Sequence, residues 1–303
     1  MFAHLTKRTV IGACALLALG ACATTTGAQD YGTGPALYVA RDADSTMYLY
    51  GTIHLRRAGE PWGGAHVDAA LNEAETVWTE TEINAAAEAN AQQAALRLGM
   101  APADQPLSSW LTEDEQARLS ALYTRLGLPA GALEPMRPWL ASLTLSVIPM
   151  LQAGFDPQAG VDRAISAWTQ ANGREARWFE TAEQQIGFFA GLSDEAQKEM
   201  LIYSIDEAES AGELVEAMTA AWETGDMQTL EALVIGEMRG DFPEAYEAMF
   251  TRRNAAWVDV LTQELAGSGV DFVAVGAGHL VGPESVIEML RARGVTVERI
   301  PAR

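Results

Sequence analysis

Apolar positions recur along this chain with two different periods, and the change from one to the other marks its elements. "ALYVA" at 36–40 and "MYLYG" at 47–51 are strand-like runs around the polar turn Asp42-Ala43-Asp44-Ser45. Val67, Ala70, Leu71 and Ala74 carry helical spacing and predict a helix over 66–75. "TVWTETEI" at 76–83 returns to a β-rich run. From about 84 to 267 the pattern is mostly helical. Thr112-x-x-Glu115 forms a capping box ahead of a helix that stops at Gly127, and Ser193 is placed to cap another. "PEAYEAMFTRRNAAWVDVLTQELAGSG" reads as one long helix. Only "EARWFE", 175–180, interrupts this region as a short strand. A strand at 271–275, a helix over 283–293 and the closing strand "VTVERI" complete the chain.

Strands at both ends and helices between them predict an α/β fold. The expected architecture is a mixed, partly parallel sheet built from N- and C-terminal segments, with a large helical middle region at about 84–267. No repeat of 20–50 residues and no interdomain linker is visible, so residues 35–303 read as one domain.

The first residues have another character. Lys7 and Arg8 precede an apolar run, 9–21, that is too short to span a bilayer comfortably and reads as a secretion leader. Leu19-Gly20-Ala21-Cys22 resembles the bacterial lipobox, in which the cysteine becomes the lipid-modified first residue. Residues 22–34 read as a flexible tether. These features predict a protein of the bacterial cell envelope, anchored to a membrane by lipid on Cys22, facing the periplasm from the outer membrane. Cys14 falls inside the leader, so the body has no cysteine for a disulfide or a thiolate nucleophile. The chain of 303 residues carries a net charge of −21, and removal of Lys7 and Arg8 makes the rest more acidic. The acids are spread over helical segments, which argues against nucleic-acid and anionic-lipid partners.

Among four histidines, two share one context. "MYLYGTIHL" and "DFVAVGAGHL" are each an apolar run, a glycine, two residues and a histidine. His54 and His279 are thereby placed just past strand ends, where functional groups collect in parallel α/β sheets. Gly51, Gly276 and Gly278 let the backbone turn or approach a ligand closely. If the two strands are neighbours, both imidazoles face one pocket. Gly63-Gly64-Ala65-His66 matches the same pattern without a strand before it, and reads as helix-start chemistry. In "TVWTETEI", strand alternation puts Glu80 and Glu82 on one face. Two histidines with Glu80 would make a set suited to a divalent metal with open positions. Basic residues are few, which draws attention to Arg252 and Arg253. Asp162, Arg163 and Glu180 are further polar candidates. The tryptophans at 78, 110, 139, 168, 178, 222 and 257 read as core.

These segments together resemble the TraB/GumN family, which is related to the TIKI metalloproteases. The match is carried in order by "MYLYGTIHL", "ETEI", "RPWLASL", "GVDRAI", "FETAEQQ", "TRRNAAWVDVL" and "FVAVGAGHLVGPESVIEMLRARGVTVERI", over about residues 36–301. The resemblance implies a site of His54, Glu80, Arg253 and His279, and a fold similar to erythromycin-esterase-like and haem-binding lipoproteins. It implies a metal-dependent hydrolase, expected to be a peptidase. His54, Glu80 and His279 would serve a Mn, Co or Zn ion, and Arg253 would steady an oxyanion or a substrate carboxylate. The substrate would be a peptide or small molecule. Two alternatives stay open. One is a metal-free, histidine-based hydrolase. The other is a non-enzymatic lipoprotein that binds metal, haem or peptide, with Tyr48 and Tyr50 near His54 as haem-ligand candidates.

Overall fold

The computed structural model describes residues 31–302, so the leader, Cys14 and Cys22 lie outside the described residues. Six strands, β1 (Leu37–Arg41), β2 (Ser45–Thr52), β3 (Thr76–Thr81), β4 (Glu175–Glu180), β5 (Gly269–Gly276) and β6 (Val297–Ile300), form one sheet in the order β4-β3-β5-β2-β1-β6. The first four in that order run parallel, and β1 is antiparallel to both of its neighbours. The sheet is therefore mixed and partly parallel, as expected. One departure concerns its origin. β4 comes from the helical middle and forms an edge, so the termini alone do not build the sheet. Trp178 on this edge strand is 41% exposed rather than core, because no strand covers its outer side.

Strand alternation divides the core. Leu37, Val39, Tyr48, Tyr50, Val77 and Phe272 face one side and pack with α1 (Ala65–Glu73), α5 (Val161–Ala171) and α8 (Ala211–Thr224). Tyr38, Met47, Leu49, Trp78 and Val273 face the other and pack with α12 (Arg252–Leu265) and α13 (Val286–Ala292). Burial on both faces explains why β2 and β5 read as continuous apolar runs. The middle region also holds α2 (Ala85–Gly99), α3 (Glu113–Leu126), α4 (Pro138–Gln152), α6 (Ala182–Ala190) and α7 (Asp194–Glu207). Helices α3, α4 and α7 make a second core around Leu119, Leu122, Leu145 and Leu201. The Thr112 capping box and the Ser193 cap both form.

Between α8 and α12 come the short helices α9 (Met227–Glu231), α10 (Glu237–Asp241) and α11 (Pro243–Tyr246). The long helix expected here is continuous but not uniform. A π-helical turn, Glu247–Thr251, joins α11 to α12, and another, Ala232–Gly236, joins α9 to α10. At the N-terminal end, part of the expected tether is packed: Gly34 is buried, and the Ala302 N–H donates to the Tyr31 carbonyl at 2.6 Å.

Candidate functional site at the carboxyl ends of the parallel strands

Each of the four parallel strands delivers one polar side chain at its carboxyl end. β2 and β5 are neighbours, with Thr52 opposite Gly276. The chain leaves β2 through Ile53 to His54. It leaves β5 into a 3₁₀ turn, Ala277–Leu280, that holds His279. Glu80 stands one residue before the end of β3, and Glu180 is the last residue of β4. Three helices complete the set: Asp162 from α5, Gln185 from α6, and Arg253, Asn254 and Trp257 from α12.

Arg253 is the hub. Its Nε–H donates to Glu180 Oε1 at 2.9 Å, and its Nη2 donates to Glu80 Oε2 at 2.6 Å and to Glu180 Oε2 at 2.9 Å. Nη1 donates to the Met249 carbonyl at 3.0 Å and meets His279 Nε2 at 3.2 Å. The Met249 carbonyl belongs to the π turn that precedes α12. All five guanidinium N–H groups thus have acceptors. The carboxylates are equally engaged. Glu80 Oε1 accepts the Gly276 N–H at 2.7 Å, Gln185 Nε2 donates to Glu80 Oε2 at 2.9 Å, and Trp257 Nε1 donates to Glu180 Oε1 at 2.9 Å. In this geometry Arg253 has no donor left for the substrate oxyanion or carboxylate that the resemblance assigns to it. It organises the site instead. Arg252 points away, to an exposed pairing with Glu247.

His279 is buried between Trp257, 4.4 Å away ring to ring, and Phe250 at 4.9 Å. Asn254 sends its Nδ2 to the Glu284 carbonyl, which leaves its Oδ1 to accept from His279 Nδ1 at 2.6 Å. His279 Nε2 therefore receives a proton donor, Arg253, rather than offering one. Burial, and then the Arg253 and His54 charges, hold its pKa down to about 3 against the pull of Glu80, so the ring is neutral. For Glu80, burial opposes ionisation. Its neighbours, of which Arg253 and His54 carry charge at neutral pH, and the Gly276 N–H together hold the carboxyl well below the usual range.

His54 is the opposite case. Its side chain is 57% exposed, and Nδ1 lies 3.3 Å from Asp162 Oδ1. Desolvation works against its protonation, but Asp162 first and Glu80 second outweigh it and raise the pKa to about 9. The reason is visible in the charges: the two carboxylates, Asp162 and Glu80, favour the imidazolium, and Arg253 offsets them only in part.

The glycines act differently from the expectation. Gly51, Gly276 and Gly278 have no positive φ, so no left-handed turn requires them. They are required for space. A Cβ on Gly276 would stand 3.0 Å from Glu80 Oε1, 3.5 Å from His54 Nε2 and 3.6 Å from His279 Cδ2. A Cβ on Gly51 would stand 3.0 Å from Ala277, and one on Gly278 2.8 Å from Phe250 and Val234. Glu82 lies beyond the end of β3, exposed, and does not share the face of Glu80. His66 lies in the first turn of α1 with Nε2 2.9 Å from the Pro35 carbonyl, a structural place. Tyr48 donates to Glu73 and Tyr50 is fully buried, so neither is free as a haem ligand. Gln185, Asn254 and Trp257 were not singled out by sequence as site residues. "FETAEQQ" and "TRRNAAWVDVL", which contain them, were the available signal.

The three groups that the resemblance gives to a divalent metal do converge on Gly276, and His279 Nε2 lies 3.7 Å from Glu80 Oε1. Two of the three are already engaged: His279 Nε2 meets Arg253, and Glu80 accepts from Gly276, Arg253 and Gln185, while His54 Nε2 has no hydrogen bond among the described residues. Among the described residues no three His, Cys, Asp or Glu side chains are grouped to hold a metal ion. The donor set as placed does not fit a divalent ion, because a guanidinium already sits at its centre.

A partly parallel α/β sheet, with two Gly-x-x-His turns at adjacent strand ends around a buried Glu-Arg-Glu cluster, defines the class. The family model described as "TraB/PrgY/gumN family" matches residues 36–299, and the chain belongs to that family. An uncharacterized protein of Treponema pallidum (strain Nichols) is 25% identical over 199 residues, 62% of this chain. That match spans 58% of the relative's own length. No solved structure matches.

Proposed function

We propose that this chain is a hydrolase of carboxylic amides or esters, with a peptide as the expected substrate, in which His54 carries the proton. The observation that supports it is the contrast between two histidines in the same sequence frame. His279 is neutral, buried and bonded at both nitrogens. His54 has Asp162 at Nδ1, more than half its side chain open, and Nε2 facing the Gly276 corner. In this reading Nε2 takes a proton from water as the water oxygen bonds to the substrate carbonyl carbon. The proton then passes to the leaving nitrogen or oxygen as the carbonyl–leaving-group bond breaks. Asp162 orients the ring, and the Arg253 cluster holds the strand ends in place. With a pKa of about 9, His54 is a base mainly in alkaline solution. The lipobox-like Leu19-Gly20-Ala21-Cys22 supports a site of action in the bacterial envelope.

A second reading, the metal-dependent one, is favoured by the 3.7 Å approach of His279 Nε2 to Glu80 Oε1. It requires Arg253 to release both groups. One experiment separates the two. Purified protein is assayed on a panel of peptide amides and aryl esters across pH, with and without a chelator. The expected result is hydrolysis that rises with pH through about 9, survives the chelator, and falls by about 10²-fold or more in His54→Gln. Loss with chelator and recovery with Mn, Co or Zn moves the assignment to the second reading. Hydrolysis that is indifferent to His54→Gln overturns both.

A further inference from the structure

Two arginines are buried among the described residues, and they are opposites. Arg253 has acceptors for all five donors. The Arg56 side chain, in a residue only 2% exposed, makes one hydrogen bond among the described residues, from Nη2 to the Pro61 carbonyl at 2.6 Å. Its Nε–H has no partner, and none of the described ion pairs includes it. The nearest acid in sequence, Glu60, keeps a buried Oε2 that also lacks a hydrogen bond, so it has not been drawn onto the guanidinium. Arg56 lies over the Trp222 ring, 5.8 Å from its centroid, and Tyr50 flanks the same ring at 6.3 Å. Tyr50 Oη and Thr52 Oγ1, two positions apart on one face of β2, are buried without partners as well. The backbone of Arg56 is pinned, since it exchanges both hydrogen bonds with Asp156.

An arginine cannot discard its charge when buried, as a lysine or histidine can. A buried guanidinium with unused donors calls for an anion, and none of the ion pairs among the described residues supplies one. The position is informative. Arg56 follows His54 by two residues at the carboxyl end of β2. Two residues of chain span at most about 7 Å, so the two side chains leave the backbone near each other.

We propose that Arg56 receives the substrate's α-carboxylate, so that the bond presented to His54 is the one next to a free C-terminal residue. The substrate class is then acyl amino acids or peptides cleaved at their C-terminal end. Tyr50 Oη and Thr52 Oγ1 are the neighbouring hydroxyls available to the same carboxylate. This rests on the hydrolase reading for its substrate role, while the carboxylate site itself is testable without turnover.

The test measures binding by calorimetry to the full chain. The probe is 4-oxopentanoate, which keeps the carbonyl-to-carboxylate spacing of an acylated glycine but has no scissile bond. Its amide and inorganic phosphate are the comparisons. Wild type is expected to bind the acid at least tenfold more tightly than the amide. Arg56→Met is expected to lose that preference while its Tm stays at or above wild type, because an uncompensated buried charge has been removed. Arg56→Lys, which keeps the charge and loses the fork, is expected to retain part of the preference, and reads the result should Arg56→Met not fold. Equal binding of acid and amide, or a preference unchanged in Arg56→Met, overturns the proposal. So does phosphate binding tighter than the acid. Arg56-dependent acid binding without any hydrolysis upholds the carboxylate site and counts against the hydrolase reading alone.

Discussion

A proton on His54 is held by charges that lie far from it in sequence. Asp162 is on α5 and Glu80 on β3, and both face a ring that follows β2. The raised pKa of about 9 means that His54 favours the folded state fully below its ordinary value of about 6.5. That contribution is lost as pH rises through about 9. NMR titration of the His54 Cε1–H, assigned by its disappearance in His54→Gln, is expected to show a midpoint near 9. Asp162→Asn is expected to move it down, toward the ordinary value. A midpoint in the variant equal to wild type would remove Asp162 from its assigned role. Sequence alone made His54 and His279 look equivalent, because the same glycine spacing and the same apolar run precede both. Trp257, Phe250 and Asn254 decide otherwise. They close over one histidine and leave the other open, and they reach it from a helix.

At the scale of elements, the site depends on strand ends being brought very close. β2 and β5 pair in register up to Thr52 and Gly276, and the carboxylate of Glu80 fits against the Gly276 backbone. Gly276→Ala would put a methyl 3.0 Å from Glu80 Oε1, tighter than ordinary contact. Denaturant unfolding of Gly276→Ala is expected to show a loss of about 1–3 kcal/mol, as for overpacking elsewhere. Gly187→Ala is the control. It lies in α6 with nothing within 4 Å of an added Cβ, and is expected to be neutral or to stabilise by up to about 1 kcal/mol. The strands and most helices were legible because apolar alternation and capping residues are local signals. The two π turns were not. Each inserts one extra residue into a helical turn, and each carries a side chain, Val234 or Phe250, that closes on Gly278 beside His279.

For the whole molecule, the sheet order β4-β3-β5-β2-β1-β6 interleaves early and late segments. That is how residues 54, 80, 180, 253 and 279 meet. Among the described residues no helix is long and apolar enough to cross a membrane. The proposed envelope anchor is Cys22, and it can be tested directly. In a bacterial host, Cys22→Ser is expected to shift the protein from the membrane fraction to the soluble fraction and to abolish incorporation of labelled fatty acid. Membrane association unchanged in Cys22→Ser would overturn lipid anchoring at this residue. The high acidity, −21 over the chain, fits a body that stays off anionic surfaces.

By itself, the sequence determined the mixed α/β class and the two Gly-x-x-His turns, each written locally as a period or a spacing, while the grouping of Glu80 and Arg253 with the histidines came from the family resemblance. Only the tertiary structure decided what those residues are. It made Arg253 a hub with acceptors for all five donors by setting Glu180 and Glu80 on adjacent strands, and it left Arg56 buried outside every ion pair among the described residues. The physical reason is the same in both cases. Whether a charge is satisfied depends on which groups the fold places within hydrogen-bond distance, and chain separation does not record that distance.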